Sequence, residues 1–310
     1  MNRNFDIFFL RFTLNFLNGI IELMKNLREV INDAVEKKVA IGHFNISNLE
    51  GFWAVVNAAK SLQVPVIIGA SEGERDFIGV KQIKALVQTL QDENLPVYLN
   101  ADHSYSSDRV REVIDVGFDG AIIDGAEKSL EENIKMTREC VDYRNSKNAD
   151  TLIEAELGFI GKSSKLLDSL PEGVLVSKDQ MTTAAEAHDF VQQTGIDLFA
   201  PAVGNVHGMI KNGVEPRLDI DRIREIREAC GVPLVLHGAS GNSDEDIRAA
   251  IEAGISIIHI NTEVRLAFKQ GLQQYLLENP DELAPYKYLK AAKLSMQAVV
   301  EKKLRLFNNL

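Results

Sequence analysis

At 310 residues the chain has room for one large α/β domain or two ordinary ones, and 45% hydrophobic beside 25% charged residues excludes a disordered polypeptide. Lys plus Arg number 34 against 45 Asp plus Glu, and the net charge of −11 disfavours nucleic acid or an anionic membrane as partner. A bound phosphate therefore has to be held locally, by backbone amides, helix N-termini and one or two basic side chains. Cys140 and Cys230 supply neither a disulfide framework nor a four-cysteine metal site, which fits a reducing, cytoplasmic setting.

In chain order, the first 23 residues, MNRNFDIFFLRFTLNFLNGIIEL, are rich in Phe, Leu and Ile, but Asp6, Arg11, Asn15 and Asn18 leave the run too broken to span a bilayer. It has neither the clean apolar run of a signal peptide nor the basic face of an interfacial helix. The expectation is that residues 1–23 are a disordered or over-translated extension and that Met24 is the natural start.

From Val39 onward one statement recurs eight times: a short apolar run followed by an amphipathic stretch of helical period. The runs are VAIGHFN, PVIIGA, PVYLNAD, GAIIDG, TLIEAELG, LFAPAVG, PLVLHG and SIIHINT. Near-continuous hydrophobicity marks them as parallel strands covered on both faces. Intervening segments such as GVKQIKALVQTLQDE and SDRVREVIDVG repeat apolar residues at three and four, as outer helices do. Eight units without a linker, and without GxGxxG after the first strand, predict a closed (β/α)8 TIM barrel with a C-terminal helical extension. The longest gap, from Gly158 to about Asp197, carries GKSSKLLDSLPEGVLVSKDQ and is a candidate lid. The apolar side of the run from Pro285 to Leu310 suits either a dimer contact or closure of the barrel.

Strand ends carry the chemistry in such barrels. His103 follows the third strand, His207 the sixth in GNVHG, and His237 closes the seventh in LHGAS. Three imidazoles at one rim can bind zinc and leave a coordination position for substrate. His43 and His259 are weaker candidates, and His188 in AAEAHDF reads as solvated. Asp102 either moves a proton or orients an imidazole. Asp124 ends the fourth strand, while Glu154 and Glu156 share one face of the fifth. The Gly-rich turns GNVHG and HGASG, with the INT after the last strand, offer free amides to a phosphate.

The segments ADH, EAELG, GNVHG, LHGAS and NTE, in this order, resemble the class II fructose-bisphosphate and tagatose-bisphosphate aldolases over roughly residues 24–309. The resemblance implies a barrel domain over residues 24–310 that catalyses a reversible, glycolytic cleavage of a ketose bisphosphate. It implies catalytic zinc on His103, His207 and His237, with Asp102 as the acid/base at the C4 hydroxyl. Glu156 takes the place of an alternative or second metal ligand and Asp124 that of an accessory metal-site acid. Gly208, Gly238, Ala239, Ser240, Asn261 and Thr262 correspond to residues holding the dihydroxyacetone phosphate half, with a monovalent cation nearby, and Ser71 touches the other phosphate. A homodimer or homotetramer acting on a small sugar phosphate follows.

Three departures stand out. After EAELG the chain reads GFIGKSSKLLD, without the acidic pair that the family carries on its mobile loop, so that Asp168 or Glu172 is the available replacement. His259, a candidate substrate contact, stands where Asn is usual, and DGAEK replaces a common Ser-His pair. Two rival readings are a zinc hydrolase, which lacks its HxH pair here, and a non-catalytic sugar-phosphate binder that has lost the proton-handling loop.

Overall fold

A computed structural model describes residues 24–162, 164–170, 172–174, 177–211 and 215–310. The expectation for residues 1–23 lies outside the described residues. Eight parallel strands close into a barrel: β1 (Ile41–Asn45), β2 (Val66–Ala70), β3 (Val97–Ser104), β4 (Gly120–Ile123), β5 (Leu152–Leu157), β7 (Leu198–Pro201), β9 (Leu234–Leu236) and β10 (Ile255–Ile260). They follow one another around the barrel in sequence order, β10 pairing back onto β1 with His43 level with His259. All eight predicted runs are strands, and the barrel is the TIM fold expected from them.

Helices wrap the outside: α2 (Leu49–Leu62), α3 (Glu72–Ile78), α4 (Val80–Gln91), α5 (Ser107–Val116), α6 (Leu130–Ser146), α7 (Ala184–Thr194), α8 (Ile220–Cys230) and α9 (Asp244–Ala253). The predicted helical stretches at 79–93 and 107–117 are α4 and α5. Two further helices, α10 (Thr262–Glu278) and α11 (Pro285–Phe307), complete the chain. α11 packs on α2 and β1, and the Ala40 amide donates to the Phe307 carbonyl at 3.0 Å. Of the two uses foreseen for this run, the structure contains closure of the barrel wall.

Strand alternation sorts the residues into two cores. Phe44, Leu99, Ala101, Ile153, Ala155, Leu234, Leu236 and Ile258 face the helices. Ile41, Ile67, Tyr98, Leu152, Val235 and Ile257 face inward at the N-terminal end, where they meet Leu27, Val30, Ile31 and Ala34 of α1 (Leu27–Lys37). This helix precedes the eight predicted units and plugs the barrel floor. Asn26 caps it, accepting from the Glu29 amide at 2.9 Å while Glu29 accepts from the Asn26 amide at 2.8 Å. Each fully buried aliphatic side chain here contributes about 1.5–3 kcal/mol.

Two residues further up the same strands the inward positions turn polar: His43, Asn100, Glu154, His237 and His259, all buried. Gly69 fills the corresponding place on β2 because any Cβ there would lie 2.1 Å from the His43 ring. Above this layer lie Asn45, Asp102 and Glu156. The region after β5 contains a two-residue strand, β6 (Leu166–Leu167), paired in parallel with β8 (Met209–Ile210).

Candidate active site

His103, His207 and His237 converge at the C-terminal rim, with ring centroids 5.0, 5.1 and 5.7 Å apart. Each comes from a different device. On β3, alternation points Asp102 inward with Tyr98 and Asn100 and would point His103 toward the helices with Leu99 and Ala101. Instead the β3–β4 register shifts between Ala101 and Ser104, and His103 adopts φ +41°, so both residues of the pair face one cavity. His207 lies between β7 and β8, its amide donating to the Ile160 carbonyl at 2.8 Å, which ties it to the segment after β5. His237 directly follows β9. Next to it Gly238, at φ +60°, runs so close to the 206–207 backbone that a Cβ would sit 2.5 Å from the Val206 oxygen.

Each imidazole is fixed from behind by an acceptor, so the ring nitrogen on that side must donate. His103 Nδ1 lies 2.9 Å from Asp124 Oδ2, His207 Nδ1 lies 2.7 Å from the Gly161 carbonyl, and His237 Nε2 lies 2.7 Å from Glu154 Oε1. One nitrogen from each ring and a Glu156 oxygen give four ligand atoms within 4.8 Å of each other. His237 Nδ1 and Glu156 Oε1 are 2.9 Å apart, yet both are buried without a hydrogen bond. Buried polar atoms that converge without satisfying one another fit a divalent cation, and imidazole nitrogens with a carboxylate suit zinc.

Asp124 stands behind His103 and is not among these four atoms. Its geometry is that of an orienting partner, rather than the accessory metal ligand expected from sequence. Glu154, left without a definite role by its place on β5, occupies the equivalent position behind His237.

The electrostatics follow the same division. Burial would raise the Glu156 carboxyl, but His237 and His103 outweigh it and bring it down to about 2. Burial would lower His103, but Asp102 and Glu156, with the hydrogen bond to Asp124, push it up to about 9. Burial lowers His207 to about 4, aided by the neighbouring His103. Without metal the site thus holds protons between its carboxylates and imidazoles, and a cation would take over that charge.

Asp102 is 4% exposed, and its Oδ2 accepts from Asn45 Nδ2 at 2.8 Å. Its Oδ1 lies 3.4 Å from His259 Nδ1 and 3.7 Å from His103 Nε2. Burial opposes its ionisation, but these imidazoles hold it well below the usual carboxylate range, in the form of a base. His43, Asp102 and His259 form a second group of potential ligands. The His43 and His259 rings, however, stack face to face at 3.5 Å with planes 4° apart, so their in-plane lone pairs run parallel and cannot both point at one ion.

Around this centre lies a cavity of about 290 Å³. Ser71, Gly208, Gly238, Ser240, His259, Asn261 and Thr262 all line it, as do Asp102, His103, Asp124, His207 and His237. Ala239 does not, being fully buried in the outer core. Asn261 is the N-cap of α10, so free amides of that helix begin at the cavity wall. His188 is remote from the cavity and contacts the Ala229 carbonyl at 2.9 Å.

Sequence reasoning did not single out Lys162, Lys165 or Arg265, which bring positive charge to the same wall. Arg265 sits one helical turn inside α10 and pairs with Glu74; its position three residues after Thr262 in NTEVR was the available signal. The lid acids are elsewhere. Asp168 has an 88% exposed side chain paired with Lys211 at 2.9 Å, and neither it nor Glu172 lines the cavity.

A (β/α)8 barrel with three rim imidazoles, a buried carboxylate base and a cationic wall defines a metal-assisted enzyme acting on a small anionic substrate. The profile of the fructose-bisphosphate aldolase class-II family matches residues 25–310. The fructose-bisphosphate aldolase of Geobacillus stearothermophilus is 35% identical over 289 residues, 92% of this chain and 96% of that protein. That of Staphylococcus epidermidis is 34% identical over 287 residues, 91% and 96% of the two chains. Among solved structures, the YdjI aldolase of Escherichia coli K12 superposes with a TM-score of 0.74 at 29% identity, covering 92% of this chain and 97% of its own. The chain belongs to the class II fructose-bisphosphate aldolase family, whose members are metal-dependent lyases.

Proposed function

We propose that the chain is a zinc-dependent aldolase that reversibly cleaves fructose 1,6-bisphosphate to dihydroxyacetone phosphate and glyceraldehyde 3-phosphate. The observation that carries this reading is the convergence of His103, His207, His237 and Glu156 within 4.8 Å of one another beside the buried Asp102. A divalent cation held by those residues would supply Lewis-acid polarisation of the ketose carbonyl and electrostatic stabilisation of the charge left when C3–C4 breaks. The chain's own groups do the rest. Asp102 takes the C4 hydroxyl proton as the C3–C4 electron pair stays with C3 and C4 becomes the aldehyde carbon; a proton from solvent water then adds at C3 to complete dihydroxyacetone phosphate, Asp168 and Glu172 lying outside the cavity, and in condensation both transfers run in reverse. Glu154 and Asp124 hold the rings of His237 and His103 so that no reorientation is needed during the reaction.

Amides around Gly208, Gly238, Ser240 and Thr262 hold the phosphate of the dihydroxyacetone half, with a monovalent cation alongside. Ser71 and Arg265 receive the second phosphate. No lysine nucleophile enters this scheme. The chain works as a homodimer or homotetramer in the cytoplasm, a reading supported by exposed Leu277, Leu283 and Tyr286 at the α10–α11 turn and by two free cysteines. Among the described residues no helix is long and apolar enough to cross a membrane.

The test is a coupled assay for triose phosphate release from fructose 1,6-bisphosphate and from its C4 epimer, tagatose 1,6-bisphosphate, with zinc removed and restored. Faster cleavage of the fructose epimer, abolished by chelation and recovered with zinc, is expected. Faster cleavage of the tagatose epimer would reassign the substrate; binding without cleavage would leave the chain a sugar-phosphate binder.

A further inference from the structure

Arg75, on α3, is fully buried, and its donors go only to neutral acceptors. Nη1 reaches the Ala70 carbonyl at 2.5 Å and the Asp102 carbonyl at 3.1 Å, while Nη2 reaches Ser104 Oγ at 2.9 Å. Nε has no partner. A guanidinium taken out of water without an ion pair is costly, and an apolar side chain of similar size would be cheaper for the fold. The contacts indicate what the charge is for. The last registered pair between β2 and β3 is Ala70 with Ala101, and the β3–β4 ladder is interrupted from Ala101 to Ser104. Arg75 binds inside that gap at Asp102, at its far edge at Ser104 and to the end of β2 at Ala70, at the place where backbone pairing ceases to hold the chain.

Inside the gap lie Asp102 and His103. A regular strand would send these neighbours to opposite faces, and only the φ of +41° at His103 brings both to the cavity. Such a conformation persists in a non-glycine residue when its surroundings impose it. We propose that Arg75 is a positioning residue for the reaction: by gripping the Asp102 carbonyl and the Ser104 hydroxyl it fixes the bulge that aims Asp102 and His103 into the same cavity. The proposal rests on the roles assigned above to those two residues.

The experiment compares Arg75→Met and Arg75→Lys in the full-length protein by steady-state kinetics on fructose 1,6-bisphosphate and by the visible spectrum of the cobalt(II)-loaded enzyme. Displacing a reacting group by an ångström costs about 100-fold, so Arg75→Met is expected to lower kcat by about that factor with little change in KM, and to shift the cobalt bands as His103 turns. Arg75→Lys, which keeps the charge and part of the hydrogen bonding, is expected to recover about tenfold of the loss and to restore the bands. The spectrum needs no turnover, so if wild type proves inactive on this substrate the positioning role is still decided by it. Wild-type kcat and unshifted cobalt bands in folded Arg75→Met would overturn the proposal, as would bands lost in proportion to unfolding in both variants.

Discussion

The floor and the rim of this barrel are built from the same strands only a few residues apart, yet they are different materials. At the floor Ile41, Ile67, Tyr98, Leu152, Val235 and Ile257 pack on α1 and are buried. At the rim, inward positions on the same strands carry His43, Asp102, Glu156 and His259, and five buried polar atoms of His43, Asp102, Glu156, His237 and His259 have no hydrogen-bond partner. The floor is complete as folded. At the rim a cation and a substrate would supply these partners, so stability and chemistry are expected to respond to different substitutions.

The largest expected contrast is at the rim. His207→Ala should remove bound metal and bring cleavage to background while the unfolding transition stays near that of metal-free wild type; metal analysis, the coupled assay and denaturant unfolding on one preparation check all three. Asp102→Ala should keep its metal and lose about 10³-fold in kcat, within the usual range for a general base. Metal loss from this variant would make the carboxylate a ligand.

The opposite signature is expected at the floor. Ile67→Ala should cost about 2–5 kcal/mol of stability by leaving a cavity under the polar layer, with kcat unchanged wherever the protein is folded. A fall in kcat without a shift of the unfolding midpoint would erase the distinction between the two regions. Smaller effects sharpen it. Asp124→Ala frees His103 Nδ1 and should weaken metal affinity by about 10–100-fold, read by competition with a chelator. In the metal-free protein His103 is pushed up to about 9, so it is protonated at neutral pH and must lose that proton to bind. His237 is held well above the usual imidazole range by Glu156 and Glu154 and must shed a proton too, so affinity should rise from pH 7 by up to about tenfold per pH unit for each of the two rings and less steeply above pH 9 once His103 is neutral, with proton release measurable on zinc addition in weak buffer.

The floor and the strands were legible because hydrophobic runs and their spacing are local properties. The three histidines were legible because each lies within such a run or no more than three residues beyond it. What escaped is set by contacts distant in sequence. The turn at His103 carries no glycine to announce it and exists because tertiary partners, Arg75 among them, impose it. Arg75 itself sits in SEGERDF, four of whose seven residues are charged, yet Glu74 and Arg75 are both buried. Asp124 was readable as a strand-end acid, but whether such an acid faces the centre or supports a ligand from behind depends on a 2.9 Å contact that spacing does not encode. β6 and β8 are two residues each, too short for any period to mark.

The most direct measurement is anomalous diffraction at the zinc edge from crystals of the zinc-loaded protein. A single strong peak enclosed by His103, His207 and His237, with Glu156 adjacent and Asp124 behind His103, is the expected result. A peak elsewhere, or these rings turned away from one another in fully loaded crystals, would contradict the account.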